Sequence, residues 1–278
     1  MTTTMALGIV LFVLMMLVGG RAGVRAFIGL LLNFGVLFFA IVLVAFHFPP
    51  LTVTLVTAVI VLALTIFLSA DDDLSSTVAF LASLAVLAIL VLLIIPVEQW
   101  AQVQGFGPED SEDLEGMSLL IGIPFIKVAM ATAILSTLGA IAEAAMAISS
   151  GLNEILEQHP KVSEQGLMRE GMAIGRQIMG TTFNTLFFGF FGGFLALFVW
   201  FSSVHYTFGE ILNDKIFVAQ VLMVLFAMVS VILVVPATTW IMARFVRYRR
   251  RHDLPVSGDL TQADHERLQQ EALANRKK

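Results

Sequence analysis

Apolar residues run through this chain in long continuous blocks separated by short polar breaks, with no sustained alternation in period two. The first block is Met5 to Val18, closed by Gly19, Gly20 and Arg21. The second runs from about Val24 to Phe48 and stops at Pro49-Pro50, which break a helix and force an extended turn. The third is Leu51 to Ala70, ended by Asp71-Asp72-Asp73, and the fourth is about Ser75 to Val97. A polar stretch, Glu98 to Glu115, follows. The fifth block begins near Phe125, with Pro124 suited to a first helical turn, and continues beyond Ser150. The sixth is about Ile174 to Phe201 and the seventh about Ile216 to Ala243. A helix needs about 20 residues to cross about 30 Å of hydrocarbon. The pattern therefore predicts an all-α, polytopic membrane bundle of about seven transmembrane helices. Continuous blocks exclude a transmembrane β-barrel, whose strands alternate.

Composition agrees. The chain is 58 % hydrophobic and 13 % charged, against about a quarter charged in soluble domains. It has no cysteine, which excludes disulfides, thiolate metal sites and thiol catalysis. The opening "MTTTMALGIVLFVLMMLVGG" lacks a basic n-region and a clean cleavage site, so it reads as a retained first helix.

Charge placement gives a direction. Arg21 and Arg25, then Lys161, Arg169 and Arg176, then Arg244, Arg247, Arg249, Arg250 and Arg251 all fall on one side of a seven-span chain. That side is read as the cytoplasm, with the N-terminus out and the C-terminus in. The opposite side holds Glu98, Glu109, Asp110, Glu112, Asp113 and Glu115 without a basic residue between them. The aspartates at 71–73 favour the start of the fourth span, with Asp73, Ser75 or Ser76 as its cap. The bundle occupies residues 1–250. A hydrophilic tail, 251–278, contains a short helix capped by Thr261 with Asp264 three residues on.

Within this apolar frame the fifth block carries a polar line. Steps of three and four from Glu143 give Thr132, Ser136, Gly139, Glu143, Ala147, Ser150 and Glu154, one helical stripe of small and polar residues. Glu143 lies about 16 Å from Glu154 along the axis. With Asn153 and Glu154 at the inner interface, it falls in the hydrocarbon zone, where an ionisable group requires a partner, a proton or water. The sixth block runs the other way and places Arg176, Gly180 and Asn184 on one face, flanked by Thr181. Gly189 and Gly193 are expected to permit close packing further along. Matching depths predicts Glu143 beside Asn184 and Thr181, and Arg176 beside Asn153 and Glu154. Two roles for Glu143 follow: a hydrogen-bonded tie between two spans, or a proton- or cation-binding group in a water-accessible cavity.

Other chemistries are missing. Five histidines, at 47, 159, 205, 252 and 265, form no ligand spacing, and no P-loop, GxSxG, HExxH or dinucleotide fingerprint occurs. No enzyme activity, metal or cofactor is assigned. Basic residues cluster only beside the membrane, where they face the lipid bilayer, and this argues against nucleic acid.

"LGAIAEAAMAISSGLNEILEQHP", followed by "EGMAIGRQIMGTTFNTLFFGFFGG", resembles the YibE/F-like family of bacterial membrane proteins. "VGGRAGVRAFIGLLLNFGVLFF" resembles the opening of that family's membrane region, and the likeness covers about residues 10 to 245. The resemblance implies a multi-pass protein of the bacterial plasma membrane, in the short form without an extracytoplasmic domain. It also implies a paralogous membrane subunit or a homo-oligomer as partner. The family's activity is unassigned, with transport the usual guess. Two positions depart from it. Glu143 stands where Asp is usual, and Gln177 where an Asp often follows the arginine, so an Arg-Asp pair does not carry over. The reading is thus a transporter or permease subunit with a polar path between the fifth and sixth helices, or else a non-transporting scaffold for a partner subunit. Pro124 and Pro236 are the interruptions the sequence marks.

Overall fold

The computed structural model describes residues 2–70, 72–103 and 124–252, and among these it is helical without a strand. The elements are α1 (Thr3–Ala45), α2 (Pro50–Ser69), α3 (Asp73–Ala101), α4 (Phe125–Gln158), α5 (Glu164–Gly193), α6 (Leu195–Ser203), α7 (Phe208–Asn213) and α8 (Lys215–Arg251). Five of them, α1, α2, α3, α4 and α8, are long and apolar enough to cross a membrane. α5 and α6 add a sixth if taken as one span bent by 51°. The acidic loop and the tail helix at Thr261 lie outside the described residues.

The first two sequence blocks are the two arms of α1. Gly20, at φ 52° and ψ −129°, breaks the helical path in a region that side chains disfavour. The arms fold back there, so the Phe12 and Phe27 rings lie 4.8 Å apart, and Gly23 sits against the Met15 carbonyl with no room for a Cβ. The second arm packs on α2. Asn33 Nδ2 donates to Thr65 Oγ1 at 2.9 Å, and Gly29 admits Leu68.

Three local expectations need correction. Asp72, and not Asp73, Ser75 or Ser76, caps α3, its carboxylate accepting from the Ser75 amide at 2.6 Å. Glu98 is not part of a polar loop: α3 continues to Ala101 and buries it to 2 % exposure. Finally, α8 runs unbroken through Pro236, and α3 through Pro96. Membrane helices absorb a proline because neighbouring groups re-satisfy the freed carbonyl. The real breaks are at Gly20 and at Gly193–Phe194, where the rings of Phe190, Phe198 and Phe217 fill the corner, with centroids 5.9 to 6.0 Å apart.

α4 is the central helix. It packs against α2, α3, α8 and α5, and these neighbours touch each other in that order, α2 on α3, α3 on α8, α8 on α5. Lipid tails give helices no hydrophobic reason to associate, so close van der Waals contact between small side chains must supply the attraction. α4 meets this with buried Ala133, Ala140, Ala142, Ala144 and Ala145, interleaved with Ile134, Ile141, Ile148 and Leu152. α5 meets α8 through Gly171 and Gly175, which lie directly against Thr239 and Val235.

Candidate functional site on the open face of α4

The four helices around α4 form a ring with one gap. α2 and α5, at its two ends, do not pack on each other among the described residues. Every member of the sequence stripe, Thr132, Ser136, Gly139, Glu143, Ala147, Ser150 and Glu154, is at least partly exposed, whereas the helix's other faces are packed. The stripe therefore occupies the gap. Toward the Pro124 end it borders a groove of about 570 Å³, walled by Leu37 and Ile41 of α1, Val53 of α2 and Leu135 of α4.

The polar groups along this face differ in how they are satisfied. Thr132 Oγ1 donates to the Val128 carbonyl at 3.0 Å and Ser136 Oγ to the Ala133 carbonyl at 2.8 Å, so these hydroxyls need no outside partner. Glu154 Oε1 accepts from Gln158 Nε2 at 3.2 Å. Asn153 is turned inward, 6 % exposed; its Nδ2 donates to Glu157 Oε1 at 3.0 Å while its Oδ1 has no hydrogen-bond partner. Glu143 makes no hydrogen bond or ion pair with any described residue.

α5 brings its own polar line to the same side. Arg176, Gln177, Gly180, Thr181, Asn184 and Thr185 are exposed, and Thr181 Oγ1 is satisfied by the Ile178 carbonyl at 3.0 Å. The two helices meet at Gly151 with Ile174 and at Leu152 with Gly171. Counting out from these contacts in opposite directions sets Glu143 roughly level with Thr181, and Arg176 about 7 Å nearer the basic end. Thr181 thus lies at the depth of Glu143, but by the same count Asn184 stands about 4 Å further along and Arg176 about 7–9 Å from the level of Asn153 and Glu154, and no side-chain contact joins the two polar lines. Neither Arg176 nor Asn184 is bonded to another described residue, and the two helices do not close over the stripe. Gly189 and Gly193, expected to carry close packing, have no neighbouring atom within 4 Å of the place a Cβ would take, and neither has Gly180; that role belongs to Gly171 and Gly175.

Three further polar features escaped the sequence reading. Arg247 of α8 pairs with Glu164 of α5 through its Nε, 2.6 and 2.7 Å from the two carboxylate oxygens, and through a terminal nitrogen. Glu98 is buried with its Oε2 unbonded, and Asn33 ties α1 to α2. Only Ser163-Glu164, as a helix-start pair, was visible in the sequence as a signal. No three His, Asp or Glu side chains converge to metal-binding distance among the described residues.

Neither a curated protein nor a solved structure matches the chain. A family model described as "YibE/F-like protein" matches residues 7–248, which reaches from the first arm of α1 into the basic end of α8. This multi-pass membrane protein belongs to the YibE/F-like family.

Proposed function

We propose that this protein is a transporter or permease subunit of the bacterial plasma membrane, oriented with its basic end in the cytoplasm. The open face of α4 and the adjoining face of α5 line the path. Glu143 takes up and releases the proton or cation, and Ser136, Ser150, Glu154, Arg176, Thr181 and Asn184 are the polar groups along the path, with Asn153 turned into the bundle behind it. One observation carries this reading: among the described residues, Glu143 is an unpartnered acid in the middle of a membrane helix, on the side of that helix that no other described helix covers. A carboxylate at the bilayer centre costs about 2.5–3.5 kcal/mol on insertion scales. Water, a proton or another chain must offset that cost.

The incomplete ring around α4 also favours a second reading, a scaffold whose gap seats a paralogous subunit or another copy of this chain. One experiment separates the two. Because the chain has no cysteine, single cysteines at Ser136, Glu143, Gly180 and Asn184 can be probed with a membrane-impermeant thiol reagent in cells and inside-out vesicles. Labelling at these depths from either side supports an aqueous path. Absence of labelling in correctly inserted protein, with cross-linking of the same cysteines to a neighbouring chain, supports the scaffold.

A further inference from the structure

A pocket of about 320 Å³ opens at the basic end, between the first turn of α5 and the last third of α8. Trp240, Arg244 and Arg247 line it from α8, at i, i+4 and i+7 on one helix face. Glu164, Gln165 and Met168 line it from α5. This pocket shares no lining residue with the α4 stripe and plays no part in the path proposed above.

Its charges are unevenly committed. Arg247 and Glu164 are occupied with each other, so together they add no net charge. Arg244 is exposed and lies over the Trp240 ring, 5.5 Å from its centroid, with no carboxylate or hydrogen-bond partner among the described residues. A guanidinium held over an indole ring without a carboxylate partner has its planar fork of donors available to two oxygens of one oxyanion. Arg250 and Arg251 act electrostatically on Glu164 and add positive potential at the same end. The depth is specific as well. Trp240 is 56 % exposed and sits where the apolar stretch 216–243 ends, the level at which indole rings meet lipid headgroups.

We propose that this pocket binds a phosphate group, carried by an anionic membrane lipid. Arg244 supplies the bidentate fork, Gln165 an amide donor, and Trp240 the apolar wall against the upper acyl chain. The Arg247–Glu164 pair is the fixed rim, and Glu164 keeps Arg247 from competing as an alternative anion site.

The test uses the full chain purified in mild detergent, with native mass spectrometry after addition of phosphatidylglycerol or phosphatidylcholine. The wild type is expected to retain phosphatidylglycerol about tenfold better than phosphatidylcholine. Arg244→Gln removes about a tenfold share of that retention, Arg244→Lys a smaller share, and Arg251→Gln less than twofold, since only a bidentate contact distinguishes these positions. Inorganic phosphate is the second arm. Competition by millimolar phosphate, with direct phosphate binding that also depends on Arg244, assigns the pocket to a soluble oxyanion; lack of competition assigns it to the lipid. Equal retention of the two lipids by the wild type, without phosphate binding, overturns the proposal. So does an equal loss in Arg251→Gln and Arg244→Gln, because the whole basic run would then be acting as a diffuse charge.

Discussion

Arg247 and Glu164 stand 83 residues apart in sequence, yet the guanidinium of one engages both carboxylate oxygens of the other, fastening the end of α8 to the start of α5. That hydrogen bond, together with the charges of Arg247, Arg250 and Arg251, holds the Glu164 carboxyl below its ordinary value of 4.5. The unfolded chain therefore takes up its proton first as pH falls. The pair's contribution is complete above about pH 4.5 and is lost as pH drops through the folded-state value. Wild type should exceed Glu164→Gln in Tm at pH 7, and the two should converge below pH 4.5. Thermal unfolding in detergent across that range measures it, with a small difference expected because both side chains are partly exposed.

The glycines of α5 divide into two classes. A methyl at Gly175 would collide with the Val235 side chain, and one at Gly171 would stand 2.5 Å from Thr239 Cγ2. Gly175→Ala should cost about 1–3 kcal/mol through overpacking. Gly180→Ala meets open space and should leave unfolding unchanged or slightly delayed. Equal destabilisation of the two in a detergent unfolding assay would contradict the packing described.

Glu143→Gln should leave the folded monomer within about 0.5 kcal/mol of wild type, as expected for an exposed side chain without partners among the described residues. A tie between α4 and α5 would instead cost about 1–3 kcal/mol on removal. Unfolding of detergent-solubilised monomer isolates this question from any role in transport.

Gly20 permits the fold-back of α1, and its positive φ with strongly negative ψ is closed to residues with a Cβ. Gly20→Ala should cost about 1–3 kcal/mol, felt in the first arm alone. A cysteine at Phe12, sheltered against Phe27, should label faster in the Gly20→Ala background, while one at Ile134 should not change.

What was legible in the sequence, and what was not, divides along one physical line. Block lengths and breakers report local preference, so the helices appear close to where they were expected and the turn at Gly19-Gly20 was already marked. The stripe through Glu143 was legible for the same reason, since helical periodicity alone collects those seven positions on one face. Its direction was not. A line of small and polar residues says that something approaches closely or that water is near, and only the packing order of α2, α3, α8 and α5 reveals that no helix of this chain covers it among the described residues. Likewise Gly171, Gly175 and Gly180 look alike in sequence, and it is Thr239 and Val235, far downstream on α8, that separate them. Pro236 misled because a membrane helix carries a proline where a soluble helix would bend.

The dependence of three helices on α8 has a consequence for the order in which the molecule is made. α8 packs on α3, α4 and α5, and its buried positions run from Phe226 to Arg249. Translation proceeds at about 5–20 residues per second. For the seconds between completion of α4 and emergence of residue 249, the central helix is in the bilayer with its α8-facing side bare. Any nascent chain stopped in that interval has Val231, Val234, Val235 and Met242 missing from its core, and is a ready substrate for quality control. The bundle is thus sealed late, by the last of its described helices.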